Sequence, residues 1–279
     1  MRASVLVILA FFIMVLIAVT VLWFVNRPHN QRVAEIRSEL TALQNDGSRY
    51  DTTMIAGLPE PVQRYFRNAL GESVLLPRRV EIVMRGEIRT APESAWMPFE
   101  GRQVLARGAG FLWEADVDMG AMMWLKGADY YYEGEGRVWF SLNSLIPVVT
   151  ASGPIVDRSA AGRYLIEQVL IPSSLLPLYG GEWTAVDDQH AEVMVEQNGV
   201  EGIITLRIDE EGNPVHVVMP RILDDGQGNA IMRPFGVSFE AYDTFGGITV
   251  PTRLAAGWDF GTDAYFEFFI AEYVDVRFY

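Results

Sequence analysis

Twenty-two consecutive residues, Ser4 to Val25 (SVLVILAFFIMVLIAVTVLWFV), carry no charge and only two polar side chains, Ser4 and Thr20. In hydrocarbon a lone segment must satisfy every backbone N–H and C=O within itself, so a helix is the conformation open to it. At about 1.5 Å per residue that helix spans roughly 33 Å, enough for a bilayer core. A cleaved signal peptide would have an apolar stretch of about 7–15 residues ending in a small-x-small site. This run is longer and leaves through Leu22-Trp23-Phe24-Val25 into Asn26-Arg27-Pro28, with Trp23 suited to an interface. The expectation is an uncleaved single-pass anchor over residues 1–27. Counting Arg27, Arg32 and Arg37 against Arg2 favours a cytoplasmic C-terminal side. A short N-terminal tail before a large domain favours the opposite, and we take that second orientation. It puts the rest of the chain outside the cytoplasm, tethered to the inner membrane.

Beyond the anchor the composition is that of an ordinary globular protein. The full chain has 36 acidic and 22 basic residues, a net charge of −14, and 50% hydrophobic residues. Removing the first 25 residues takes away Arg2 and no acid, so the remainder stands near −15. That balance excludes a non-specific nucleic-acid binder, which needs a basic face. The absence of cysteine excludes disulfides, thiol nucleophiles, Cys-ligated zinc and iron–sulfur clusters. Lys126 is the single lysine.

Hydropathy periods divide the rest. Residues 28–71 read as a helical linker and a helix. Val33, Ile36, Leu40 and Leu43 form one stripe of a helix opened by Pro28, packed on its own domain rather than on a second copy. A second helix runs from about Pro59 to Leu70. From Arg78 the period is two: Val80, Ile82, Met84 and Ile88, then Phe111, Trp113, Ala115 and Val117, point one way while their neighbours point the other. Met122–Leu125, Asp129–Tyr132 and Arg137–Leu142 continue the pattern, with turns at Gly127-Ala128 and Gly134-Glu135-Gly136. One helix, Asp157 to Leu170, capped by Asp157 or Ser159, interrupts the strands. Strands then resume from His190, with a hairpin at Asn198-Gly199. The sum is a mainly β (α+β) domain over 72–279: a large curved antiparallel sheet or half-barrel of about 10–11 strands with an internal helix as plug.

Motifs of known chemistry are absent: no GxSxG, GxGxxG, P-loop or HExxH. Asp116-x-Asp118-x-Gly120 opens like a calcium loop but runs into Ala121-Met122-Met123-Trp124, and Asp224-Asp225-Gly226 reads as a solvated turn. His190 after Asp187-Asp188 suggests acid–base chemistry, yet the same residues make an ordinary turn before a strand. Two strand histidines, His190 and His216, make no metal site without a third ligand. No catalytic residue, metal or cofactor is therefore assigned. Arg163 and Glu167, at i and i+4, share a helix face that could line a cavity and meet an anionic group. Six tryptophans and the methionines beside them would make an apolar concave wall. The ligand-binding set is Trp96, Phe99, Trp113, Trp124, Arg163, Glu167, Trp183 and Trp258.

The order of elements over roughly 78–279 resembles bacterial extracytoplasmic lipid and lipoprotein carriers of the LolA/LolB-like type. The resemblance implies a half-barrel wrapped around a helical plug and an apolar cavity. The segments LPEPVQRYFRNAL (Leu58–Leu70), AWMPFEGRQ (Ala95–Gln103), GFLWEADV (Gly110–Val117) and RYLIEQVLIPSSLLP (Arg163–Pro177) resemble a family of bacterial membrane-anchored proteins of unknown function. That likeness transfers no catalytic residues. With no cysteine to lipidate, a carrier of this kind would act while tethered by its helix. The function expected is a membrane-tethered binding module for an apolar or amphipathic, lipid-like ligand. The alternatives are an envelope domain with a filled core that binds an unidentified protein through its acidic surface, and, last, a hydrolase using His190 with Asp187 or Asp188, or Glu167.

Overall fold

The computed structural model describes residues 2–197 and 199–279; the hairpin residue Asn198 lies outside the described residues. Helix α1 (Arg2–Ala42) and helix α2 (Glu60–Ala69) precede six strands: β1 (Arg79–Ile88), β2 (Met97–Ala106), β3 (Gly110–Asp118), β4 (Trp124–Tyr132), β5 (Glu135–Leu142) and β6 (Ile146–Ser152). Helix α3 (Pro154–Ile166) follows, and short 3-10 turns carry the chain to Tyr179. Seven strands complete it: β7 (Glu182–Ala185), β8 (His190–Gln197), β9 (Val200–Ile208), β10 (Pro214–Asp224), β11 (Ala230–Phe245), β12 (Ile248–Trp258) and β13 (Phe266–Phe278).

All thirteen strands form one antiparallel sheet in the order β6-β5-β4-β3-β2-β1-β13-β12-β11-β10-β9-β8-β7. Two meanders are joined where β1 pairs with β13, Val80 opposite Phe278 and Ile88 opposite Phe269. The edges β6 and β7 do not meet, so the sheet is open and curved, not a closed barrel. This connectivity explains the internal helix. A chain that ends its first meander at one edge and starts the second at the other must cross the concave face, and α3 and the turns after it make that crossing.

Thirteen strands exceed the ten or eleven read from the sequence, and the differences have local causes. β6 and β7 are edge strands, largely exposed and lacking a buried alternation. β2 is interrupted by Pro98 and Gly101, which weaken any strand signal. β4 is one strand, not two halves around a turn: a Cβ at Gly127 would fall 2.0 Å from the Trp139 carbonyl oxygen, so glycine there serves close strand contact.

The helices differ too. α1 runs unbroken through Pro28 rather than starting there. Pro28 removes one helical hydrogen bond, but burial of the next turns holds the helix on course. Val33, Ile36 and Leu40 pack on Ala106, Leu112, Ala128 and Tyr130 of the convex sheet face. β3 and β4 are therefore covered on both sides, by α1 outside and α3 inside. Arg37 pairs with Glu114 and Arg32 with Glu133 along the same seam. At the head of this docked stretch Asn26 donates from Nδ2 to the carbonyls of Leu22 (2.8 Å) and Leu145 (2.7 Å), and its Oδ1 accepts from Trp139 Nε1 (3.1 Å) and Ser141 Oγ (2.5 Å). Helix α3 is capped at Gly153 and starts at Pro154, not at Asp157 or Ser159; Asp157 Oδ1 instead accepts the Gly136 N–H at 2.8 Å, tying the helix to β5.

Candidate functional site

Between the concave face and α3 lies a cavity of about 340 Å³. Its wall is apolar over most of its extent: Trp113, Val138 and Phe140 from the first meander, Phe235, Phe239 and Trp258 from the second, Ile166 and Val169 from the crossing segment. The volume is at the small end for ligand pockets, which run about 300–1,000 Å³. Much of the lining lies near one row of strand ends, with Ile88, Met97, Val117, Leu125, Trp258 and Phe268 each within two residues of a strand terminus on that side. The turn between β5 and β6, which Asn26 grips through Leu145, belongs to the same side.

One cluster of linked polar groups enters this wall from α3, β2 and β4. Arg163, from α3, donates from Nη1 to Asp129 Oδ2 (2.6 Å), from Nε to Glu167 Oε1 (2.7 Å) and from Nη2 to Gln103 Oε1 (3.3 Å). Gln103 Nε2 returns a bond to Glu167 Oε2 at 2.8 Å. The guanidinium also lies over the Phe111 ring at 4.5 Å. Two carboxylates and an amide therefore engage all three of its nitrogens. Burial pulls the Arg163 pKa down, but Glu167 and Asp129 outweigh it and the net direction is up. Asp129 is raised, because burial outweighs the attraction of Arg163.

A second guanidinium faces the same space. Arg221, on β10, is 6% exposed. Its Nη2 donates to the Ser159 carbonyl at 3.0 Å, and its buried Nε has no partner. The head lies over Phe235 at 4.2 Å and Trp258 at 5.3 Å. No carboxylate among the described residues is within ion-pair distance of it; Asp129 and Glu167 are engaged by Arg163. Burial, and then repulsion from Arg163, lowers Arg221 to about 9, so it remains a cation at neutral pH. Gly162 of α3 leaves room for it: a Cβ there would stand 3.2 Å from Arg221 Cγ.

Residues 48–269 match the sequence profile of a family of unknown function, DUF6544. The chain belongs to this family. No curated protein matches it. Among solved structures it is similar to a LolA superfamily protein from Nitrosomonas europaea, with 11% identity and a TM-score of 0.41 over 78% of this chain and 92% of that one. It is also similar to a domain given as an outer membrane lipoprotein-sorting protein from Vibrio parahaemolyticus, with 10% identity and a TM-score of 0.37 over 72% and 85%. A DUF1329 family protein from Desulfovibrio piger shares 13% identity with a TM-score of 0.35 over 72% and 86%.

Of the eight residues singled out from the sequence, Trp113, Arg163, Glu167 and Trp258 line the cavity. The other four lie elsewhere. Phe99 is core, packed between Trp113 and Phe269. Trp96 sits on the turn between β1 and β2 under the Arg89 guanidinium. Trp183 packs on Tyr65 and Phe66 of α2 and donates to the Leu175 carbonyl at 2.8 Å. Trp124 is 43% exposed at the start of β4. Arg221 carried no sequence signal: it lies in a strand with Pro220 before it and no charged residue at a telling spacing.

The remaining polar clusters have plain structural roles. His190 Nδ1 lies 2.9 Å from both Asp187 oxygens on an exposed turn, and its ring is 6.3 Å from that of His216. Asp116 pairs with Lys126 at 3.0 Å. Asp118 accepts the Gly120 N–H, and Asp224 and Asp225 accept N–H groups of their own loop.

Proposed function

We propose that the protein is a membrane-tethered module that holds one apolar or amphipathic, lipid-like molecule in the cavity beneath α3. The observation that carries this reading is the apolar cavity itself, set against the side of the sheet from which the apolar part of α1 departs. Residues 8–21 of that helix are exposed throughout, Leu9, Phe12, Leu16 and Val21 among them, as a segment bound for hydrocarbon would be. Asn26 is buried against the turn between β5 and β6.

Apolar surface continues from the helix onto the sheet tips. Asn143, in that turn, bonds both to the Trp124 backbone (2.8 and 3.0 Å) and, through Nδ2, to the Met122 carbonyl (3.5 Å). Met122 is 89% exposed, and Trp124 and Ile146 beside it are about half exposed. A tryptophan with pliable methionines suits a headgroup interface. In this reading residues 1–27 anchor the chain, 28–71 join anchor to sheet, and 72–279 bind the ligand outside the cytoplasm. The tips rest on the bilayer and the cavity takes its ligand from there.

Native mass spectrometry of the full-length protein, released from lipid nanodiscs, tests the reading. One apolar adduct per chain is expected. Ala256→Phe, which fills the cavity from β12, should remove the adduct and leave the unfolding temperature unchanged or higher. Wild-type protein without any adduct, from membranes of several lipid compositions, would overturn it.

A further inference from the structure

The cavity has one chemical feature that an apolar ligand alone leaves unused. Arg221 is a buried cation whose donors outnumber its acceptors: one carbonyl for a five-donor guanidinium, with Nε unpartnered. A buried charge is normally paired, and the nearest carboxylates are held by Arg163. What packs on Arg221 is the aromatic pair Phe235 and Trp258, both of which also line the cavity. The charged head therefore sits in the apolar wall, where an incoming anion would meet it out of water. Guanidinium binds carboxylate or phosphate oxygens through two parallel N–H donors, and such charge-assisted bonds are about twice as strong as neutral ones.

We infer that Arg221 is an anion subsite, and that the ligand is a single-chain amphiphile whose anionic head, carboxylate or phosphate, pairs with Arg221 while its chain fills the apolar cavity. This rests on the proposed cavity function and narrows it. The small volume favours one chain over two. Arg163, the more conspicuous arginine, is set aside as the anchor because two carboxylates already pair with its charge and three of its five donors are engaged.

The test compares head groups on one chain. Full-length protein in phosphatidylcholine nanodiscs is exposed to three diazirine-bearing C16 probes: the carboxylic acid, the phosphate monoester and the neutral alcohol. After photolysis, labelled peptides are mapped by mass spectrometry. The acid, the phosphate or both should label the peptides holding Phe235 and Trp258 at least about tenfold more than the alcohol, as expected for a charge-assisted hydrogen bond. Which anion wins separates a fatty acid from a phosphorylated lipid. In Arg221→Met the anion should fall to the alcohol's level with the unfolding temperature kept. Arg221→Lys, which retains the charge without the planar fork, should keep part of the preference.

Equal cavity labelling by all three probes in wild-type protein would overturn the anion subsite and leave the apolar cavity reading standing. A preference that survives Arg221→Met would overturn it as well. No cavity labelling by any probe would overturn both readings. Should Arg221→Met fail to fold, the wild-type ratio and Arg221→Lys decide the matter.

Discussion

Arg163 and Arg221 line one cavity, the first from α3 and the second from β10, and their surroundings differ in kind. Arg163 is surrounded by Asp129, Glu167 and Gln103, and Gln103 also bonds Glu167. Arg221 is held by packing, two aromatic faces and one carbonyl. The first arrangement ties the crossing helix to β2 and β4 and consumes its own charge. The second leaves a charge with no carboxylate among the described residues paired to it. Burial of an arginine thus says little about its role; the count of acceptors around it says more.

The sharpest way to break this comparison is to remove each guanidinium in turn. Arg163→Met should cost about 3 kcal/mol, because Asp129 and Glu167, both mostly shielded from water, lose the cation that compensates them. Denaturant unfolding measures this, and a triple variant that adds Asp129→Asn and Glu167→Gln should recover most of the loss. Arg221→Met should shift stability by only about 1 kcal/mol either way, since it loses one hydrogen bond and relieves one unpaired buried charge. Equal destabilisation by the two substitutions would refute the distinction between them.

Between these effects falls a dependence on pH. The Asp129 carboxyl is raised above its ordinary value of 3.8, chiefly by burial. A group raised on folding adds stability that is complete below 3.8 and is lost as pH rises through the folded value. Asp129→Asn carries no such titration. The stability of the wild type relative to this variant should therefore fall as pH climbs from below 3.8 towards 7. Urea titrations at several pH values give the difference curve. A flat curve would mean that Arg163 holds Asp129 at its unfolded value.

Much of the architecture is written in local patterns, and the parts that are not share a cause. The alternations in β1 and β3, the stripe Val33-Ile36-Leu40 and the apolar face of α3 each bury what their period says they bury. What eludes the sequence depends on partners far along the chain. β6 and β7 are strands only because a neighbour supplies the ladder on one side. Gly127 looks like a turn until the Trp139 carbonyl is brought against it. Trp113 and Trp183 are alike in sequence terms, yet one lines the cavity and the other packs on α2. The cavity edge of Arg163 and Glu167 was readable from their i,i+4 spacing, whereas Arg221 gains its meaning only when Ser159, Phe235 and Trp258 close around it.

The smallest expected effect is also the most local. Gly162 lies in the interior of α3, where alanine would ordinarily add about 0.5–1 kcal/mol of helix stability. The new methyl would stand 3.2 Å from Arg221 Cγ and 3.5 Å from its Nε, close enough that the arginine must move by a few tenths of an ångström. The gain and the strain act in opposite directions, so Gly162→Ala should leave stability almost unchanged. It should nonetheless weaken the preference for anionic over neutral probes, because it displaces the one group that reads the charge. Gly202→Ala is the control: its methyl would press on Met219 and Leu165 instead of Arg221, and should strain the same region without changing head-group preference. If both alanines lower the preference alike, general loosening of the α3 packing explains it, and the position of Arg221 is not what sets it.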